Sequence, residues 1–200
     1  MDSQEHMTRD AETDDEELMR RTGQGDRAAY ALLVERHLNR SVGLAVRISG
    51  NRADAEEVVQ EAFLRVWVNA ARWRTDGAKF RTWFGRILVN LCIDRKRKPV
   101  PVPLEAAGDP EDNRIGAFDA LSNAEESARI RAAMAELPER QRAAVALCYW
   151  DEMGNIEAAA VLGISIGALE SLLVRARRTL KEKLESDLGG GRLGMAAGGM

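Results

Sequence analysis

Two hundred residues, 45% hydrophobic and 30% charged, with 5% aromatic and five prolines, describe a globular chain rich in Ala, Leu, Arg and Glu. That balance favours helices over a β-sandwich or a disordered chain. No apolar run approaches the roughly eighteen residues of a membrane span. The polar, acidic opening MDSQEHMTRD is no secretory signal, so a cytoplasmic protein without membrane insertion is expected. The net charge of −3 hides a partition: residues 15–98 carry seventeen Lys/Arg against eleven acids, and residues 99–126 one Arg against seven acids. A basic block followed by an acidic connector fits contact with a polyanion.

In chain order, residues 1–14 are expected to form a disordered acidic N-terminus and 15–98 a first helical domain. Tyr30, Leu33, Val34, His37, Leu38 and Val42 form the inner stripe of a long helix ending near Gly50. Asn51, with Asp54 three residues on, marks the N-cap of a helix from about Arg52 to Arg72. Its core stripe is Ala55, Val59, Ala62, Phe63, Val66 and Ala70. After a turn at Thr75-Asp76-Gly77, a third helix turns Phe80, Trp83, Phe84, Ile87, Leu88, Leu91 and Cys92 inward and ends in a basic cluster before Pro99.

Periodicity collapses over 99–123, where four prolines lie among acids and glycines, the pattern of an extended linker. A second helical domain is expected over 124–187, followed by a low-complexity, disordered tail at 188–200. Within it, helices run from Ala124 to Leu137, from Pro138 through Trp150, from Asn155 to Leu162 and from Ile166 to about Leu184. The last pair, around the turn Gly163-Ile164-Ser165, reads as a helix-turn-helix with Ser165 as N-cap. Ile166, Leu169, Leu173, Ala176 and Leu180 anchor the final helix. The opposite stripe offers Ala168, Ser171, Leu172, Arg175, Arg178 and Thr179 to a DNA groove, with Arg177 adjacent.

Two further surfaces stand out. Glu57, Gln60, Glu61, Leu64 and Val68, with Trp67 beside them, fall opposite the core stripe of their helix, and aliphatics on an otherwise polar face suit docking to a protein. From Trp73 to Lys98, aromatics alternate with cations, the mixture on which single-stranded nucleic acid stacks and is held. Candidates there are Arg74, Lys79, Phe80, Arg81, Trp83, Arg86, Asn90, Arg95, Lys96 and Arg97. Ordinary core packing competes for some of those rings. Cys92 and Cys148 read as buried thiols, and His6 and His37 pair with nothing in the sequence. With no catalytic constellation, P-loop or metal spacing, the chain is expected not to be an enzyme and to need no cofactor or metal.

The segments NRADAEEVVQEAFLRVW, FRTWFGRILVNLCIDRKRK and LPERQRAAVALCYWDEMGNIEAAAVLGISIGALESLLVRARRTLKEKL resemble, in order and separation, the region motifs of extracytoplasmic-function sigma factors of bacterial RNA polymerase. The resemblance implies an all-α protein: a region 2 bundle and a region 4 helix-turn-helix on an acidic linker. It implies that the Glu57, Gln60, Glu61, Leu64 face docks on the clamp of core RNA polymerase. The Trp73–Lys98 segment would open and read the −10 element of promoter DNA, and the last helix would read the −35 element while seated on the polymerase flap. An anti-sigma factor is implied as a further partner. Where family members commonly carry a basic residue and an arginine, this chain has Glu170 and Leu172, which shifts −35 affinity onto Arg175, Arg177 and Arg178. A two-domain repressor with a ligand pocket, and a sigma mimic that sequesters an anti-sigma protein, are the competing readings.

Overall fold

The first three helices each begin where a short polar side chain catches amides that the first turn leaves unpaired. In the computed structural model, which describes residues 13–74, 77–96 and 127–190, α1 (Asp15–Gly23) is capped by Asp14, whose carboxylate accepts from the Glu17 amide at 2.7 Å. Asp26 accepts from Ala28 and Ala29 at the start of α2 (Arg27–Ser49). Asn51 does the same for Ala53 and Asp54 in α3 (Arg52–Asn69), as its position predicts. Asp54 does not complete the reciprocal cap, because its carboxylate turns to Arg95 at 2.9 Å. A single 3-10 turn, Ala70–Arg72, ends α3, and α4 covers Phe80–Lys96.

The first domain packs these four helices around an aromatic centre. Phe80 and Phe84 stack with centroids 5.5 Å apart, and Phe63 lies 4.9 Å from Phe84. The expected stripe of α3 is buried throughout, whereas Leu38 of α2 faces outward and its place is taken by Ser41, Leu44, Ala45 and Ile48. Apolar periodicity locates a stripe but not which of its edges the neighbour covers. His37, unpaired in the sequence reading, meets Asp15 at 2.8 Å. Burial alone would raise the Asp15 pKa, but its bonds to His37 and Arg36 outweigh that and hold the carboxylate below its ordinary value.

The second domain holds α5 (127–135), α6 (Glu139–Val145), α7 (Asn155–Leu162) and α8 (Ile166–Gly190). The helix expected to continue to Trp150 instead widens after Val145 into a π turn, Ala146–Trp150, and the Asp151 amide reaches back to the Ala146 carbonyl. Leu169, Leu173 and Ala176 anchor α8 as expected; Ile166 does not, being exposed. Cys92 is buried, and desolvation pushes its thiol up to about 12. Cys148 is only half-buried, not fully buried as expected. Among the described residues there is no strand, and no single helix is long and apolar enough to cross a membrane. The expected linker and both terminal segments lie outside the described residues.

One apolar core runs through both domains, from Leu33, Phe63 and Leu88 to Leu147, Val161 and Leu169. The seam is α7 laid on α4. It closes this tightly because residue 85 is glycine: a Cβ there would stand 3.3 Å from Val161 Cγ2 and 3.7 Å from Met153 Cε.

Candidate polymerase and DNA interfaces

The α3 face is built by subtraction. Its inner stripe is spent on the core, and the remaining turns present Glu57, Gln60, Glu61, Leu64, Trp67 and Val68 to solvent. Leu64 is 55% and Val68 66% exposed, an unfavourable place for aliphatics unless a partner covers them. Trp67 is fixed edge-on against Tyr30 at 5.1 Å, and Tyr30 donates its hydroxyl to the Phe63 carbonyl. The acidic end is not bare: Glu61 pairs with Arg65, and Glu57 with Arg95.

That pairing bears on the candidate −10 residues. Arg95 bridges Asp54 and Glu57, and the Glu57 hydrogen bond chiefly raises its already high pKa. In this structure it braces α4 against α3. Phe80 is 0% exposed, so the expectation that it stacks a base is corrected: it is a core ring. Trp83 is half-buried, 6.2 Å from Phe80, and Trp73 is likewise half-buried. Arg74, Lys79, Arg86 and Asn90 are exposed. Lys96 closes α4, and Arg97 lies outside the described residues.

Arg81 is the residue the sequence placed least well. It was expected on DNA. Here its guanidinium donates to the Asp151 carbonyl at 2.7 Å and lies 3.6 Å from Glu157. Arg40 of α2 also holds Asp151, pairing with the carboxylate and donating to the carbonyl at 2.7 Å. Neither Arg40 nor Asp151 was singled out from the sequence, because nothing local to either announces the other. Arg142, also missed, is a buried cation that donates to the carbonyls of Ala135, Leu137 and, across the seam, Ile48. Burial lowers its pKa.

The helix-turn-helix forms as its sequence dictates. Gly163 takes the left-handed conformation (φ 63°) that ends α7, Ile164 donates back to the Ala159 carbonyl, and Ser165 Oγ accepts from the Ala168 amide at 3.2 Å. The two helices meet at 95°, within the range of such motifs. At the start of α8, Ser165 is exposed, and along the helix Ala168, Ser171, Arg175, Arg177 and Arg178 are exposed with Glu170 among them. Leu172 is half-buried against the core, and Arg178 pairs with Glu182 at 2.9 Å. Among the described residues no cluster of His, Cys, Asp or Glu could hold a metal ion.

A helix-turn-helix domain packed on a helical bundle that bears an exposed apolar patch defines a two-domain, all-helical DNA-binding protein. Family models agree in chain order: Sigma-70 region 2 matches residues 33–99, and Sigma-70, region 4 matches residues 127–180. The ECF RNA polymerase sigma factor SigW of Bacillus subtilis is 33% identical over 171 residues, spanning 80% of this chain and 91% of that one. SigE of Mycolicibacterium smegmatis, also an ECF RNA polymerase sigma factor, is 36% identical over 171 residues, 80% of this chain and 64% of that one. The solved structure of CnrH in complex with the cytosolic domain of CnrY is similar at a TM-score of 0.65 and 29% identity, covering 86% of this chain and 98% of that one. The chain belongs to the ECF family of RNA polymerase sigma factors, which are transcription initiation factors.

Proposed function

We propose that the chain docks on core RNA polymerase through the α3 face, opens and reads the −10 element with α4 and the loop before it, and reads the −35 element with α8. Domain limits of 15–98 for region 2 and 124–187 for region 4 go with that division. The observation that carries it is the pairing, on one chain, of the exposed Leu64–Val68 patch with the exposed arginines 175, 177 and 178 of a capped helix-turn-helix. Within the −10 segment, Trp83 serves as the stacking ring, and Arg74, Lys79, Arg86, Asn90, Lys96 and Arg97 hold the backbone. Arg81 and Arg95 join them only if their carboxylate partners release them. At −35, Ser165, Ala168 and Ser171 let α8 enter the groove, Leu172 props it from beneath, and the arginines supply the anchors.

In this role the chain positions polymerase and catalyses nothing itself, and it works in the cytoplasm, where polymerase and promoters are. An anti-sigma factor holds it inactive, a reading supported by the likeness to CnrH, solved with a bound protein segment. Run-off transcription by core polymerase, with and without the chain, tests the proposal. Promoter-specific transcripts are expected only with the chain present, and their absence at every promoter of the source genome would overturn it.

A further inference from the structure

α4 starts without a good cap of its own. The Lys79 carbonyl accepts from the Trp83 amide at 3.0 Å, which puts a lysine at the N-cap. Its side chain has no oxygen to offer and brings a cation to the positive end of the helix. The missing acceptor comes from α1: half-buried Glu16 takes the Phe80 amide on its carboxylate at 3.0 Å. The other end of α1 meets the 3-10 turn that ends α3. There Gly23, the last residue of α1, lies so close that a Cβ would stand 2.7 Å from the Ala70 carbonyl oxygen and 3.2 Å from Ala71 Cα. Glycine disfavours a helix, and this close approach to backbone is what requires it.

The two contacts bracket one segment. The 3-10 turn leads into Trp73 and Arg74, and Phe80 follows Gly77, Ala78 and Lys79, the flanks of the loop proposed to read the −10 element. At 1.5 Å per residue, α1 carries its two contacts about 10 Å apart, whereas residues 73–79 could reach about 23 Å if extended. A loop with that much slack takes its shape from how its ends are held. α1 is itself firmly seated. Leu18 and Met19 are fully buried, Asp15 holds His37 at 2.8 Å, and the Thr22 hydroxyl donates to the Leu18 carbonyl.

We propose that α1 is a positioning element for promoter opening: Glu16 and Gly23 fix the two ends of the −10 loop, so that Trp73, Arg74, Lys79 and, one turn on, Trp83 stand ready for a strand. This role rests on the −10 reading of the segment. Neither Glu16 nor Gly23 touches DNA; each acts through the backbone it holds. A loop held at both ends loses little further freedom on binding, whereas a loose one must be ordered at each encounter. The signature is a fault in opening alone, because the exposed α3 patch and the α8 arginines stand on other elements.

The test uses full-length variants in holoenzyme with core polymerase, at a promoter that the unaltered chain transcribes. Glu16→Ala removes the acceptor, Glu16→Gln keeps an oxygen there, and Gly23→Ala pushes the Ala70–Ala71 backbone away. Asn51→Ala is the control, since it strips the α3 cap and touches neither end of the loop. Time-resolved permanganate footprinting at saturating holoenzyme should show opening slowed about fivefold by Glu16→Ala and by Gly23→Ala, the change that goes with one lost cap. Glu16→Gln and Asn51→Ala should open near the wild-type rate, and core polymerase binding should match wild type throughout. A merely structural loss would slow Asn51→Ala as well and spare Gly23→Ala, because alanine strengthens a helix. Wild-type opening by either alanine variant of α1, Glu16→Gln as slow as Glu16→Ala, or equal slowing by Asn51→Ala overturns the role of α1. If holoenzyme with the unaltered chain leaves no reactive bases at −10, the −10 reading itself falls instead. Should a variant not fold, amide exchange of the wild-type chain decides: Phe80 protected like the interior of α4 is expected, and exchange at the rate of an open loop overturns the grip.

Discussion

α3 and α4 are consecutive amphipathic helices of one bundle, each with an inner stripe on the same aromatic centre, yet their outer faces have opposite fates. The outer face of α3 is open, with Leu64 and Val68 among the most exposed aliphatics described. The outer face of α4 is roofed by α7, with Gly85 buried and Arg81 paired off. Composition alone does not foresee this, for the aliphatic patch is bare while Arg81 is partly covered, with Arg86 beside it left exposed. The contrast shows that one helix can leave an aliphatic patch in water while its neighbour sets a cation, Arg81, against the carboxylates of the second domain. Charge on the roofed face is tolerated because Asp151 and Glu157 meet it.

The largest effect that sharpens this contrast lies beneath α4. Phe80→Ala empties the shared centre and is expected to cost about 3–5 kcal/mol of stability. Trp83→Ala, at a half-buried ring, should cost well under that while lowering promoter opening, since a stacked base is worth roughly 1–3 kcal/mol. Thermal melts beside permanganate footprinting check both. Equal melting of the two variants would remove the distinction between the core ring and the reading ring.

Next comes α8, the other open face. Arg175 is exposed and stands beyond Ala168 and Ser171 on the outward side. Arg175→Ala should weaken −35 binding by about 1–3 kcal/mol with relaxed specificity at one position if it reads a base. If it holds phosphate, the loss should be uniform across sequences and the salt slope shallower by about one. Glu170→Lys should tighten binding to any duplex. Titrations at several salt concentrations measure all of these, and wild-type behaviour from both variants would mean that α8 does not read DNA.

What the sequence made legible was local. The caps at Asn51 and Ser165, the turn at Gly163 and the core stripe of α3 all follow from residues within a few positions of one another, and each forms as read. The meeting of Arg40 and Arg81 on Asp151 was illegible because Arg81 and Asp151 stand 70 residues apart, and Arg40 and Asp151 111 apart. Gly85, set among Trp83, Phe84 and Ile87, was the nearest signal, since a glycine inside a helix costs about 1 kcal/mol relative to alanine and signals a close approach. Phe80 and Trp83 could not be told apart by spacing, because three residues of helix put both near the same edge. The π turn after Val145 was likewise invisible, as it depends on the Asp151 amide finding a carbonyl five residues back.

The smallest effect on stability, and the sharpest on function, is expected on the open face of α3. Glu57 and Glu61 are exposed, and each is paired with one arginine, Arg95 and Arg65. Exposed ion pairs contribute little to stability, so the double variant Glu57→Lys, Glu61→Lys should change stability by about 0.5 kcal/mol or less. It should nonetheless weaken core polymerase binding, because the polar rim of the Leu64–Val68 patch then repels whatever cations the clamp presents. Freed from Glu57, Arg95 still has Asp54 at 2.9 Å, so α4 stays braced and −10 recognition should be unaffected once holoenzyme forms. Equilibrium binding to core polymerase, run beside circular dichroism and a thermal melt, separates these outcomes. Native affinity at native helicity would show that the acids on α3 face only water, and the open face would then rest on Leu64, Trp67 and Val68 alone.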